Sequence, residues 1–148
     1  MKIYKALIAA CAINAFYIGN AVAGPPVTVT FKNYGTQTAT FTPTTNNEAI
    51  TKANATPTPK TAVTANGSDI YIIESLISPE YNHANLRYQS GRKKCVFLAT
   101  FVTTVGPGAT KIPKWNNSAS PAGGAICTIR VTGRNLTTYA WSVEITMR

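Results

Sequence analysis

The chain has 148 residues, and its 14 lysines and arginines against five acidic residues give a formal charge of +9 at pH 7. This length suffices for one domain with a buried core, but not for two, once a leader is removed. Five acidic residues and a single histidine, His83, leave few groups for acid–base catalysis. A zinc site needs about three or four ligands, which a lone histidine and two cysteines expected to be bridged cannot supply. We therefore expect neither an enzyme nor a cofactor.

Residues 1–23 have the pattern of a signal peptide. A short basic region precedes an apolar run at 6–18, and small residues occupy the cleavage position at 21–23. The apolar run is too short to remain as a membrane anchor. An alternative is a lipoprotein signal that would leave Cys11 as a lipidated N-terminus, although its apolar region would be very short. We expect residues 24–148 to form a single exported domain, either periplasmic or secreted.

Apolar runs separated by turn residues predict about seven or eight short strands. They are expected over residues 27–32, 38–42, 61–64, 69–75, 85–89, 95–104, 125–132 and 139–147. The run at 95–104 is apolar on both faces, which predicts a central strand covered on both sides. Helical periodicity of useful length is absent from the sequence. The predicted fold class is an all-β antiparallel sandwich, with a partly closed barrel as the alternative.

Two segments lack a strand pattern. Residues 43–60 are rich in Thr, Asn, Ala and Pro, which predicts a surface loop unless a short strand around Ile50 has been missed. Residues 106–124 are predicted to be irregular, and Lys111, Lys114 and Trp115 within them combine positive charge with an aromatic surface. We expect these three side chains to be exposed on a loop.

Cys95 and Cys127 both fall at inward positions of predicted strands. In an exported protein this even count predicts one disulfide, either between the two sheets or between neighbouring strands. Loop-closure entropy gives such a bridge a stabilisation of roughly 3 to 4 kcal/mol. The alternative is a pair of unrelated buried thiols.

Positive charge is concentrated in the C-terminal half. Without the two lysines of the leader, twelve basic and five acidic residues remain, a formal charge of +7. Residues 24–80 hold three basic and four acidic residues, whereas residues 81–148 hold nine basic residues and one glutamate. This asymmetry favours an anionic partner, although positive charge also serves solubility. The candidate binding residues are Arg87, Arg92, Lys93, Lys94, Lys111, Lys114, Trp115, Arg130 and Arg134.

The leading hypothesis is a non-enzymatic, exported protein that binds phospholipid headgroups or an acidic glycan. Such a protein could act as a secreted factor directed at a host or matrix. Nucleic acid is disfavoured because the chain is exported. The alternative is a structural or interaction subunit, such as an inhibitor, an immunity-type protein, an adhesin or a fimbrial component. It would pair through an exposed sheet edge, for which strand 27–32 is the candidate. A hydrolase using Glu80 and His83 is a third hypothesis with no motif behind it.

Overall fold

The structure, a computed structural model, describes residues 23–148. They form two five-stranded sheets that enclose a hydrophobic core. This confirms the predicted β-sandwich, and the strand order of the described residues closes no barrel. Almost all of the predicted signal peptide, including Cys11, lies outside the described residues. Within the described part of the chain, no helix is long and apolar enough to cross a membrane.

The bounds of the elements differ in places from the predicted ones. The strands are β1 (Val27–Asn33), β2 (Ala39–Phe41), β3 (Ala55–Thr56), β4 (Ala62–Val63), β5 (Ser68–Ile73), β6 (Tyr81–Ser90), β7 (Lys93–Val105), β8 (Lys111–Ala122), β9 (Cys127–Arg134) and β10 (Trp141–Met147). One helix, α1, spans Asn46–Ala53, and a 3₁₀ turn spans Pro107–Ala109. β3, β8 and α1 are the elements that the sequence did not predict.

The first sheet has the order β3-β5-β1-β10-β9 and the second β4-β2-β6-β7-β8. Strand pairs are antiparallel except for β1 and β10, which run parallel. β1 is therefore hydrogen-bonded on both sides, and the prediction that strand 27–32 offers a free edge is wrong. Its alternating pattern reveals a buried face but not the neighbours of the strand. In the described residues, the long open edges belong to β8 and β9.

The sandwich has two ends that carry different loops. The hairpin end contains the β1–β2 loop, the β6–β7 turn, the β8–β9 turn and the end of β10. The far end contains the β5–β6, β7–β8 and β9–β10 loops. β7 runs the whole length between them, and its 13 residues span about 40 Å.

Alternating side chains of the strands build the core. Along β1, Val27, Val29 and Phe31 are buried, as the pattern predicts. The ring of Tyr88 stacks on that of Phe31 with 3.6 Å between centroids, and its hydroxyl oxygen lies 2.9 Å from that of Tyr71. Burial raises the pKa of both phenols. The two hydroxyls therefore stay protonated and satisfy each other inside the core.

β7 is covered on one face only. Cys95, Phe97 and Phe101 point into the core, whereas Leu98 on the other face is exposed. The predicted double cover is therefore wrong. The physical reason is that helix α1, which covers the outside of this sheet in the described part of the chain, packs against β6 and not β7.

The disulfide between Cys95 and Cys127 is present, which confirms the prediction. Its S–S distance is 1.97 Å and its Cα atoms are 5.7 Å apart. Because β7 belongs to the second sheet and β9 to the first, the bridge joins the two sheets.

Residues 43–60 are not a continuous loop. Thr45 caps α1, its hydroxyl accepts a hydrogen bond from the Glu48 N–H, and the Glu48 carboxylate accepts one from the Thr45 N–H. This is the reciprocal capping box that a Thr-x-x-Glu sequence can form. The short strand β3 follows α1 and pairs with β5.

Residues 106–124 are mostly the strand β8, so the predicted irregular segment is wrong over its greater part. β8 pairs with β7 along its entire length. β8 is rich in Asn, Ser and Pro, which are uncommon in strands. It is an edge strand, however, where a proline such as Pro113 or Pro121 is tolerated. Pairing with the long β7 decides its conformation.

Candidate functional site

The structure divides the nine predicted binding residues among three places. The hairpin end carries Arg92, Lys93 and Lys94. The far end and the adjoining parts of β8 and β9 carry Lys111, Lys114, Trp115 and Arg134, while Arg87 and Arg130 lie on the outer faces of the two sheets. The first two groups lie towards opposite ends of β7, about 25 to 40 Å apart. They cannot grip one small ligand together.

Arg87 lies beneath α1 rather than on an open surface. Its guanidinium donates from Nη2 to Glu48 Oε1 at 2.8 Å and from Nε at 2.9 Å. Burial alone would raise the pKa of Glu48, but the hydrogen bonds from Arg87, Thr44 and Thr45 lower it to about 2. Arg87 therefore holds the helix on the sheet.

Arg130 belongs to an ion cluster on the outer face of the first sheet. Its Nη2 lies 2.9 Å from Oε1 of Glu144, and Lys32 Nζ lies 2.6 Å from the other carboxylate oxygen. Hydrogen bonds from Lys32 and Arg130 lower the pKa of Glu144. Arg130 thus shares one carboxylate with Lys32, and the cluster of these three residues keeps a net charge of +1.

Trp115 lies on β8 and packs partly against the core. Its indole N–H donates to the Tyr139 carbonyl at 3.3 Å, and the Arg134 guanidinium carbon lies 5.3 Å from its ring centroid. Lys111 forms an exposed ion pair with Glu80. Lys114 forms no ion pair with any residue that the structure describes.

The hairpin end contains a concave pocket of about 680 Å³. Among residues 23–148, Arg92, Lys93 and Arg148 line it, and no Asp or Glu side chain does. None of the three forms an ion pair within residues 23–148. Its volume lies within the range of ligand-binding pockets, about 300 to 1,000 Å³. The pocket is therefore a half-open concave surface whose basic side chains have no ion-pair partner among the described residues. Lys94, the next residue along β7, does not line the pocket.

Tight turns bring the walls of the pocket together. Gly91 has φ +57° and opens the two-residue turn between β6 and β7, which places Arg92 at the tip. Gly123 in the β8–β9 turn has φ +65°, and a Cβ atom there would lie only 1.8 Å from the Arg92 carbonyl oxygen. A glycine is therefore required where the two turns meet. Arg148 is held by a pair of 2.9 Å backbone hydrogen bonds with Ile126.

Asn33 fixes another wall. It is fully buried at the end of β1, and its amide donates to the carbonyls of Gln37, Val63 and Thr64 at 2.8 to 3.1 Å. Its carbonyl oxygen accepts from the Gly35 N–H at 3.0 Å. These bonds tie the β1–β2 loop to the β4–β5 turn beside the pocket.

No protein-family model matches the chain, and no curated protein matches its sequence. The geometry of the site therefore carries the functional argument alone.

The sequence did not single out Asn33, Gly123 or Arg148. Asn33 could have been found, because it continues the inward series of β1, where a polar side chain signals a buried hydrogen-bonding role. Gly123 and Arg148 could not, because their roles depend on which turns meet at the hairpin end.

His83 lies half-buried on β6 rather than exposed on a loop. Its ring lies 5.5 Å from that of Tyr81, and burial lowers its pKa. Glu80, its partner in the hydrolase hypothesis, pairs with Lys111. In the part of the chain that the structure describes, no group of three or more His, Cys, Asp or Glu residues is arranged to hold a metal ion.

Proposed function

We propose that this is an exported, non-enzymatic binding protein that recognises an anionic group in the hairpin-end pocket. The observation that carries the proposal is the set of basic side chains, Arg92, Lys93 and Arg148, around a pocket to which the described part of the chain contributes no acidic side chain. The ligand class is a phosphate, sulfate or carboxylate group of a phospholipid headgroup or an acidic glycan.

Charge compensation elsewhere supports this choice of site. Arg87, Arg130 and Lys111 are already paired with carboxylates, so a ligand would have to compete with those partners. Arg92 and Lys93 have no such competitor among the described residues. A guanidinium presents a planar fork that matches phosphate and carboxylate oxygens, and a neighbouring ammonium adds a point charge.

Fixed walls also favour binding. The Asn33 amide bonds and the contact between the Gly91–Arg92 and Gly123 turns hold the pocket before a ligand arrives. A preformed site loses less conformational entropy on binding than a mobile loop does. The lack of a partner for its cations then favours ligands that bring negative charge.

The test is calorimetric titration of residues 24–148 with three probes: a sulfated heparin tetrasaccharide, a galacturonate trisaccharide and inositol phosphate. The double variant Arg92→Ser, Lys93→Ser is compared with the control Lys52→Ser, Lys114→Ser, which removes the same charge away from the pocket. At low salt the pocket variant should bind at least one probe about 30-fold more weakly than the wild type, because two charged hydrogen-bonding groups are lost.

The control should bind within about twofold of the wild type, since its two charges lie outside the pocket and make no hydrogen bond to a ligand bound there. Binding of the sugars only would identify a glycan as the source of the anion, and binding of inositol phosphate only would identify a headgroup. Failure of all three probes to bind, or equal losses in the two variants, would remove the pocket as the site.

A further inference from the structure

The far end exposes more large hydrophobic side chains than any other part of the described structure. The four most exposed ones all lie there: Val105, Ile77, Leu136 and Leu76 are 80, 75, 73 and 66 % exposed. They come from the end of β7, the β5–β6 loop and the β9–β10 loop. Clustered exposure of this kind marks an interaction surface, whereas scattered single residues would need no explanation.

Backbone hydrogen bonds hold these loops in defined turns. The Gly106 N–H donates to the Thr110 carbonyl at 2.8 Å and closes the β7–β8 loop. The Asn135 N–H donates to the Ala140 carbonyl at 2.8 Å and closes the β9–β10 loop. Within the β5–β6 loop, the Ser75 carbonyl accepts a hydrogen bond from the Gly24 N–H at 2.7 Å. The aliphatic side chains are thus directed outward by ordered backbone.

Basic and aromatic residues lie behind the aliphatic ones. Lys114 is exposed and unpaired among the described residues, and Arg134 covers the half-buried ring of Trp115 at 5.3 Å. Two carboxylates lie at this end as well: Glu80, which pairs with Lys111, and the exposed Glu74. Against Lys111, Lys114 and Arg134 they leave a net charge of +1. Aliphatic side chains followed by Trp and a small excess of positive charge suit the boundary between acyl chains and headgroups. There Trp sits at headgroup level and cations attract anionic lipid.

We propose that the far end docks on an anionic phospholipid bilayer, with Leu76, Ile77, Val105 and Leu136 entering the boundary between headgroups and acyl chains. The aliphatic residues lie on separate loop tips rather than on one flat face, which suits a deformable lipid surface. A symmetric dimer through this end would bring copies of Lys114 and Arg134 towards each other, which disfavours a second copy. Insertion removes aliphatic surface from water and supplies the driving force.

This proposal is independent of the hairpin-end pocket but bears on its ligand. A bilayer under the far end would lie about 40 Å from the pocket, which would then face away from that membrane. The pocket could not reach headgroups of the same bilayer. In that orientation the anionic group that it binds would be carried by an acidic glycan.

The experiment is vesicle flotation of residues 23–148, which contain both sheets and the disulfide. Vesicles contain phosphatidylcholine alone or phosphatidylcholine with phosphatidylglycerol. The variant Ile77→Ser, Leu136→Ser removes two far-end aliphatic side chains. The matched control Ile70→Ser, Ile72→Ser removes two exposed isoleucines from the outer face of the first sheet. All four positions are exposed, so the fold should be retained, and circular dichroism checks this.

We expect the wild type to float with the anionic vesicles, and the far-end variant to lose at least about tenfold in partition coefficient. The control should stay within about twofold of the wild type. The pocket variant Arg92→Ser, Lys93→Ser should also bind nearly as the wild type does, because its charges lie several Debye lengths away. The far-end variant tests bilayer docking and the pocket variant tests anion binding, so the failure of one proposal can be distinguished from the failure of the other.

Two results would overturn it: a wild type that stays off both kinds of vesicle, or equal losses in the far-end and control variants. Analytical ultracentrifugation adds a further outcome. A concentration-dependent dimer that Ile77→Ser, Leu136→Ser abolishes, without vesicle binding by the wild type, would assign the far end to a second copy of the chain instead.

Discussion

Replacing Glu48 with glutamine should show how the helix α1 is held on the sandwich. The carboxylate is buried and accepts hydrogen bonds from Arg87 Nη2 at 2.8 Å and from the Thr44 and Thr45 N–H groups at 2.6 and 3.0 Å. Burial opposes the charge of this carboxylate, yet the hydrogen bonds lower its pKa from 4.5 to about 2. The charged form is therefore the one that the folded protein stabilises.

The pKa shift sets the magnitude. At 1.36 kcal/mol per pKa unit, the charged form contributes about 3 kcal/mol to folding at neutral pH. Because the folded-state pKa is the lower one, this contribution is fully present above pH 4.5 and is lost as the pH falls through about 2. Glu48→Gln should thus cost about 3 kcal/mol at pH 7, roughly 10 °C in Tm. At pH 2.5 the cost should fall to about 1 kcal/mol.

The assay is urea unfolding followed by circular dichroism at pH 7 and pH 2.5, for the wild type and Glu48→Gln. Glu74→Gln is the control, since this exposed carboxylate forms no ion pair among the described residues and should change stability by under about 0.5 kcal/mol. A loss for Glu48→Gln that is equal at the two pH values would refute the argument, because it would come from packing rather than from charge.

Further predictions concern the bridge, the two tryptophans and the hairpin end. Free-thiol titration of the unfolded, unreduced protein should find neither Cys95 nor Cys127, and replacing both with Ala should lower the free energy of unfolding by roughly 3 to 4 kcal/mol. In urea titrations, Trp141→Ala should lower the free energy of unfolding by about 3 to 5 kcal/mol, and Trp115→Ala, at a half-buried edge position, should lower it by much less. Equal losses would contradict the difference in burial between the two rings. Asn33→Ala should cost about 2 to 3 kcal/mol and weaken anion binding at the pocket, because buried carbonyls lose their donor. Unchanged binding in that variant would mean that the pocket walls do not depend on its amide.

The side-chain pattern of single strands was sufficient to predict the fold class and the disulfide. Alternation along β1 and β10 identifies which residues face the core, since successive strand side chains point to opposite faces. The inward positions of Cys95 and Cys127 predicted their bridge in the same way. These inferences need only local geometry and the burial of apolar surface.

Local signals also existed for two features that were missed. Thr45 and Glu48 match the sequence pattern of a capping box. Asn33 is a polar residue at an inward position of β1, where the preceding inward residues are apolar. Composition obscured them, since a segment rich in Thr, Asn and Pro favours loops over helices.

Only the tertiary structure decided which elements are neighbours. The β8 segment becomes a strand because β7 offers a long partner, and β1 lies inside its sheet because β10 pairs with it in parallel. The same holds for charge. The sequence gives the number of basic residues, but the fold pairs Arg87 and Arg130 with distant carboxylates and leaves Arg92 and Lys93 without an ion pair among the described residues. Contacts between residues far apart in sequence depend on strand order and register, which no local pattern encodes.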